Sequence, residues 1–328
     1  MKTRRYVIGK VARAALTLAF VVAFNFVLFR VMPGDPAALL LRGTSALTPE
    51  VIADLERDLG LDQPLPRQFV TYVADTVTGN LGRSLTTGDE VTSAIAAQLW
   101  PTVLLVGLST IASTILGLVI GIYAGWRRGR AFDLISTGGT LVAYAMPEFW
   151  FGILVLMAFA GGAGPFPAIF PTGGYDTAGA DLTGFAHVID VLNHLVLPFL
   201  TLTIAYLGEY SLIMRSAVLD VVGEEYLVTA RAKGLRDAQV MWRHAVPNAL
   251  LPTITLTFLS LGFIFSGAIT VEYVFSWPGL GLLTVDAIDN KDFPLLQGLF
   301  LMFSAAVIVA NLVADLLYAT LDPRVRAA

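Results

Sequence analysis

Six stretches of this chain are long, apolar and nearly free of charge, and polar segments separate them. They run Ala14–Met32, Leu99–Trp126, Leu134–Ala160, Leu195–Met214, Leu250–Phe275 and Leu295–Leu321. About 20 helical residues span a hydrocarbon core of about 30 Å, so each run predicts one transmembrane helix. The first run follows Lys2, Arg4, Arg5, Lys10 and Arg13, a layout that also occurs in secretory signal peptides. Its length, the lack of a small-x-small cleavage site and the apolar runs that follow favour an uncleaved first span. Arg30 at its far end can snorkel to the interface.

The polar segments orient these spans. MPGDP (Met32 to Pro36) breaks the first helix, and residues 33–98 form a polar region with helical pieces predicted at Pro49–Leu59 and Pro66–Val77. A segment of that length is too long for a mere connector. Further along, WRRGR (Trp126 to Arg130) separates the second and third runs, whereas the Gly- and Pro-rich stretch Gly161–Gly184 has neither Lys nor Arg. Alternate segments are basic and acidic throughout, and most of the 21 Lys and Arg fall on the side of the N-terminus. The positive-inside rule then places both termini in the cytoplasm. The expected organisation is an N-terminal segment and first helix (1–32), an extracytoplasmic region (33–98) and a five-helix core (99–328) that includes an inner loop at 224–248.

Composition agrees: 56% hydrophobic and 14% charged residues exclude a soluble globular protein. The absence of Cys excludes a disulfide framework, a thiolate metal site and a Cys nucleophile. The net charge of −4 says little, because charge is spread so unevenly along the chain.

One inner loop, Glu224–Pro252, combines charge with helix formers. Glu225–Lys233 has good helix propensity, and Gly234 offers the left-handed position that ends a helix. Asp237 is expected to cap a second short helix through Val246, which Pro247 stops. Two short helices joined at a glycine make a knob. Small Ala230 and Ala232 would let it enter a partner's cleft, with Arg231, Lys233 and Arg236 at its edge. An ordinary basic loop is the alternative on composition alone.

Catalytic signatures are missing. There is no GxxxxGK[ST] phosphate loop, the one Gly-Lys pair being Gly9-Lys10, and no GxSxG. His187, Asp190 and His194 share a helix face and could in principle hold a metal. A short amphipathic outer helix leading into the fourth span is the preferred reading, and no metal site is expected. His244, in the inner loop, reads as a packing or hydrogen-bonding residue. Within the spans, Glu148 follows Pro147 and is a candidate for a water-filled translocation path, since a carboxylate at that depth must face protein or water. Hydrogen bonding to a neighbouring helix is the alternative. Glu209 is expected to pair with Arg215, and Asp315 to pair between helices. The small residues Gly107, Ser109, Ala112, Ser113, Gly117 and Gly121 predict close helix packing. Trp277 suits an interfacial aromatic belt, and Trp277, Pro278 and Gly279 are candidates for an outer gate and receptor contact.

The run TARAKGL (Thr229 to Leu235), with Pro247 beyond it, resembles the EAA loop of ABC importer permeases. It departs at the family's Glu position, which is Val228 here; Glu225 lies one turn earlier. Further pieces resemble the B-type permease of dipeptide and oligopeptide importers. These are MPGDP, LGLDQPLPRQ (Leu59 to Gln68), GNLGRS (Gly79 to Ser84), HLVLPFLTL (His194 to Leu202), VEYVFSWPGLG (Val271 to Gly281) and NLVADLLYATLDPRVR (Asn311 to Arg326). The resemblance implies an all-α polytopic membrane protein of the type I ABC importer permease fold, working by alternating access and not itself catalytic. It implies that Glu225, Tyr226, Thr229, Ala230, Arg231, Ala232, Lys233, Gly234 and Leu235 form a coupling loop docking on an ATPase. It also implies a C-type permease partner, two cytoplasmic ATPase subunits that bind ATP and Mg, and an extracytoplasmic peptide-binding protein, in the bacterial inner membrane. This chain would bind no cofactor and no nucleic acid. Nickel chelates, glutathione or another small solute are the alternative cargo, and a membrane anchor that transports nothing is the remote one.

Overall fold

The structure is a computed structural model and describes residues 2–31, 63–161, 167–250, 253–254, 257, 264 and 268–321. MPGDP, the predicted helix Pro49–Leu59, half of the fifth run and the final DPRVR lie outside the described residues. The described chain is almost wholly helical, with one isolated antiparallel bridge between Arg83 and Glu90. It divides into two compact units, residues 1–100 with 280–328, and residues 101–279.

In the first unit, α1 (Lys2–Val31) packs along α11 (Phe293–Leu321), and α2 (Leu65–Thr78) lies against α1. Phe26 is buried against Phe69 and Tyr72 of α2, with ring centres 5.3 and 5.6 Å apart. Gly79 ends α2 in the left-handed conformation (φ 81°), as a helix terminus favours. The first turns of α3 (Val91–Trp126) and the short α10 (Leu280–Asp289) complete an apolar cluster around Val91, Leu280 and Leu299. Lys10 pairs with Asp315 across the α1–α11 contact at 2.7 Å, so Asp315 does join two helices.

The second unit holds the rest of α3, then α4 (Ala131–Ala145), α5 (Glu148–Phe159), α6 (Phe185–Val222), α7 (Glu225–Ala232), α8 (Asp237–Val240) and α9 (Ile269–Val274). The seam between α3 and α6 is built on glycine. A Cβ on Gly117, Gly121 or Gly125 would come within 2.5–2.8 Å of α6, against Tyr210, the Ser211 carbonyl and Val218. Gly208 does the same for α4, where a Cβ would lie 2.6 Å from the Thr140 carbonyl. Small residues at four-residue spacing let helix backbones approach where the solvent supplies no hydrophobic drive. Gly107 departs from that expectation: a Cβ there would meet nothing within 4 Å, so it takes no part in the seam.

By length and apolar composition, Tyr6–Arg30, Val91–Trp126, Phe185–Val222 and Phe293–Leu316 can each cross a membrane. The third predicted run is not one straight helix. Its halves, α4 and α5, meet at 101°, because Pro147 cannot extend α4 and Met146 before it is extended. Glu148 therefore sits in the first turn of α5 beside a sharp corner. Fused as one broken span with the four single ones, and with the fifth run only partly within the described residues, this architecture is consistent with six spans.

Candidate functional site: the inner loop and the corners of the second unit

α7 starts immediately after α6 and ends at Ala232, and Gly234 takes φ +79°, the conformation that favours glycine. α7 is anchored by one face. Leu227 and Ala230 are buried with Val240 and Ala245, and Trp126, Val221 and Leu235 pack around them. Ala230 therefore faces the chain's own core, which corrects its assignment to a partner's cleft. Its methyl is small enough to let α7 lie flat on α8 and its continuation. The opposite face stands clear: Glu225, Tyr226, Val228, Thr229, Arg231, Ala232, Lys233 and Gly234 are all exposed. Val228, at the position where the family's Glu is missing, is 59% exposed, an apolar side chain on an otherwise polar face.

The second half of the knob also differs from expectation. Arg236, not Asp237, precedes the short α8, and its N–H donates to Gln239 Oε1 at 3.0 Å. Asp237 turns instead to the end of α3, where its carboxylate accepts the Trp126 indole N–H at 2.7 Å. Met241–Ala245 then forms one π-helical turn, and helix resumes over residues 246–250. Pro247 thus stops nothing. It follows directly on the π turn, inside a helical run that continues from Asp237 to Leu250. The π turn absorbs an extra residue, a device common at functional sites. His244 sits in that turn, and its carbonyl accepts from Asn248 at 2.7 Å. Partial burial raises the Tyr226 phenol above its ordinary value, against a lowering hydrogen bond with Asn248, and the Glu224 carboxylate raises it further. The phenol stays neutral.

α6, which leads into this loop, is clamped to α4. Arg215 of α6 donates Nε to Asp133 Oδ1 at 2.6 Å and Nη2 to Oδ2 at 3.1 Å. Asp133 is buried and also accepts from the Gly129 N–H and the Thr137 hydroxyl. This corrects the expected pairing of Arg215 with Glu209. Six residues apart, those two project from different sides of α6, whereas Asp133 on the adjoining helix meets the guanidinium in fork geometry. The signal for the true pair lies in the sequence as an acid shortly after the basic run WRRGR and a lone arginine at the end of a span.

At the other end of the unit, WPGLG is a packed corner. Trp277 is fully buried, its indole donates to the Pro101 carbonyl at 3.0 Å, and its ring lies 5.1 Å from Tyr175. Gly279 is buried too, since a Cβ there would collide with the Glu272 carboxylate and the Thr102 hydroxyl. Glu272 itself is buried and accepts from Thr102 at 2.9 Å. Trp277 and Gly279 therefore offer no outer surface, which corrects both the interfacial-belt reading and the receptor-contact reading. The indole N–H finds its partner inside the fold, as a buried Trp requires. Pro278 is half-buried and Pro147 exposed. Glu148 is half-buried and forms no ion pair among the described residues.

His187, Asp190 and His194 do not converge. His187 Nε2 lies 3.1 Å from Asp176, Asp190 accepts the Thr177 N–H and hydroxyl, and His194 Nδ1 lies 2.9 Å from the Asp190 carbonyl. Each side chain fastens the outer loop or its own helix.

Residues 117–327 match the family described as "Binding-protein-dependent transport system inner membrane component", and residues 3–106 match its N-terminal region. The chain belongs to this family, the inner-membrane permeases of ABC importers, and is a multi-pass bacterial inner-membrane protein. Similar proteins include the di/tripeptide transport system permease protein DppB of Pseudomonas aeruginosa, 37% identical and covering 93% of this chain and 94% of its own. A probable peptide ABC transporter permease protein, y4tP of Sinorhizobium fredii, is 33% identical over 98% of this chain and 99% of its own. The glutathione transport system permease protein GsiC of Salmonella choleraesuis is 36% identical over 98% of both.

Proposed function

We propose that this chain forms one half of the translocation path of an ATP-driven importer of di- and oligopeptides, and that residues 224–248 dock on a cytoplasmic ATPase subunit. The rest of the assembly in this reading is a second permease, a second ATPase and an extracytoplasmic peptide-binding protein, with ATP and Mg held by the ATPases and no cofactor by this chain. The observation that carries the reading is the division of α7 into two faces. Leu227 and Ala230 fix it to the body of the unit, while Tyr226, Val228, Arg231 and Lys233 are exposed. A helix held this way transmits a push. Moving a two-state path from 1:99 to 99:1 takes about 5.5 kcal/mol of differential binding, which a loose tail would dissipate. Lying directly against α6, whose Arg215 is tied to Asp133, the knob would move α6 and α4 together. The bend beside Glu148 gives the path a half-buried carboxylate able to meet a peptide ammonium.

Because the chain has no Cys, a single introduced thiol is an unambiguous probe. In the assembled importer, Ala232→Cys should crosslink to an ATPase subunit in a nucleotide-dependent way, and the buried Ala230→Cys should not. No crosslink at Ala232 through a full hydrolysis cycle sinks the docking assignment. Glutathione is the second reading for cargo, favoured by the GsiC relative, whose identity matches that of DppB to within one per cent. Uptake into proteoliposomes of a dipeptide, a pentapeptide and glutathione, each with its binding protein, separates the two.

A further inference from the structure

Beside the docking face, and sharing Arg231 with it, the end of α3 carries a cavity of about 540 Å³ walled by Tyr123, Trp126, Arg127, Arg130, Arg231 and Trp242. Arg127 lies 5.7 Å from the Tyr123 ring centre and Arg231 5.5 Å from that of Trp126, while Tyr123 and Trp242 meet edge-on at 6.2 Å. The wall's one carboxylate, Asp237, is engaged by the Trp126 indole N–H. None of the three arginines forms an ion pair among the described residues. Aromatic faces attract guanidiniums without neutralising them, so three cations share one concavity with a single carboxylate and leave it with a net positive charge.

The approach to the cavity narrows the choice of anion. Leu116 (47% exposed) and Val119 (43% exposed) lie on α3 below Tyr123 and Arg127, at a spacing that keeps all four on one helix face. Along that face an apolar stripe runs up to a belt of Tyr and Trp and ends in arginine. A soluble anion or a partner's carboxylate has no use for the stripe. An amphiphile with hydrocarbon at one end and a phosphate at the other matches both parts, at the depth where interfacial aromatics and basic pockets meet lipid headgroups. We propose that this cavity binds the headgroup of an anionic phospholipid, its acyl chains lying along Leu116 and Val119. The phosphate would sit between Arg127, Arg130 and Arg231, joining the inner end of α3 to the coupling helix.

The test uses the intact importer complex, delipidated in mild detergent and titrated with dioleoylphosphatidylglycerol or dioleoylphosphatidylcholine under native mass spectrometry. Wild type should retain phosphatidylglycerol in preference to phosphatidylcholine. Arg127→Gln with Arg130→Gln should weaken that retention by about 25-fold, at about fivefold for each arginine near a membrane phosphate. Millimolar glycerol 1-phosphate should not displace the lipid. Three results overturn the proposal: equal retention by the double variant, displacement by glycerol 1-phosphate, or a variant that keeps lipid but sheds its ATPase. The last would assign the arginines to an acidic surface of the ATPase. Should the double variant fail to assemble, wild type at 50 and 500 mM salt reads the same claim. Retention of phosphatidylglycerol must fall as salt rises, and salt-independent retention overturns it.

Discussion

The seam between α3 and α6 and the knuckle after α7 both turn on glycine, and they ask different things of it. At Gly121 the backbone is ordinary helix, and what matters is the missing side chain: a Cβ would lie 2.5 Å from the Ser211 carbonyl and 2.8 Å from Met214 Cβ. At Gly234 there is open space on every side, and what matters is φ +79°. The first glycine sets how closely two spans approach. The second sets the direction in which a short helix is handed on to the next. Damage to the seam should therefore remove the protein, and damage to the knuckle should leave the protein and remove its coupling.

The largest effect is expected at the seam. Gly121→Leu pushes a side chain into backbone atoms that cannot rotate away, so α3 and α6 must separate along their length. Overpacking costs about 1–3 kcal/mol where neighbours can yield, and here they cannot. Size-exclusion profiles of the variant in detergent should show little monodisperse protein. Recovery of normal amounts of folded protein would erase the distinction between the two glycines.

Next comes the clamp at the foot of the seam. Asp133→Asn leaves the Arg215 charge without its partner. Removing one member of a buried pair costs about 3–5 kcal/mol, and the partial exposure of Arg215 (26%) lowers this to about 2 kcal/mol. The thermal midpoint should fall by several degrees, and adding Arg215→Gln should recover part of the loss. A midpoint that does not move would mean that α4 and α6 are held by their apolar contact alone.

Gly234→Val tests the other arm. A β-branched residue in the left-handed region costs roughly 1–2 kcal/mol locally, with no steric clash to add to it. The variant should reach the membrane in normal amounts, bind its ATPase, and lose most peptide-stimulated uptake while hydrolysis continues. Normal uptake would mean that the turn is not part of the lever.

The same two regions separate what is legible in the amino-acid sequence from what is not. The knuckle is legible because its signal is local: a helix-forming run, then a glycine, then basic residues, all within a few positions. The spans are legible because a bilayer demands about 20 apolar residues in succession. What stays hidden depends on which residue stands opposite. Arg215 answering Asp133, Trp277 donating into the Pro101 carbonyl and Ala230 turned inward all need a partner far away in sequence. Ala230 and Ala232 look interchangeable as letters, yet one is buried and the other exposed, because two positions on a helix differ by about 200°. The corner at Pro147 is half legible. Proline announces a weakness in the ladder, but a bend of 101° follows only from the packing of α5 against α6 and α9.

The smallest predicted effect draws the sharpest line, because it compares glycines within one helix. Gly107 lies on α3 ten residues before Gly117, and on composition it belongs to the same small-residue series. Its Cβ position is open, whereas the Cβ of Gly117 would lie 2.6 Å from that of Tyr210. Gly107→Ala should thus remove backbone freedom from the unfolded chain without meeting a neighbour, a gain of about 0.5–1 kcal/mol in a helix interior. Gly117→Ala, the same change on the same helix, should destabilise. Thermal midpoints of the two variants, measured side by side, ought to move in opposite directions. If Gly107→Ala also destabilises the isolated chain, the seam extends further toward the start of α3 than the helix contacts indicate. If it destabilises only in the assembled importer, the open face at Gly107 is where the second permease packs.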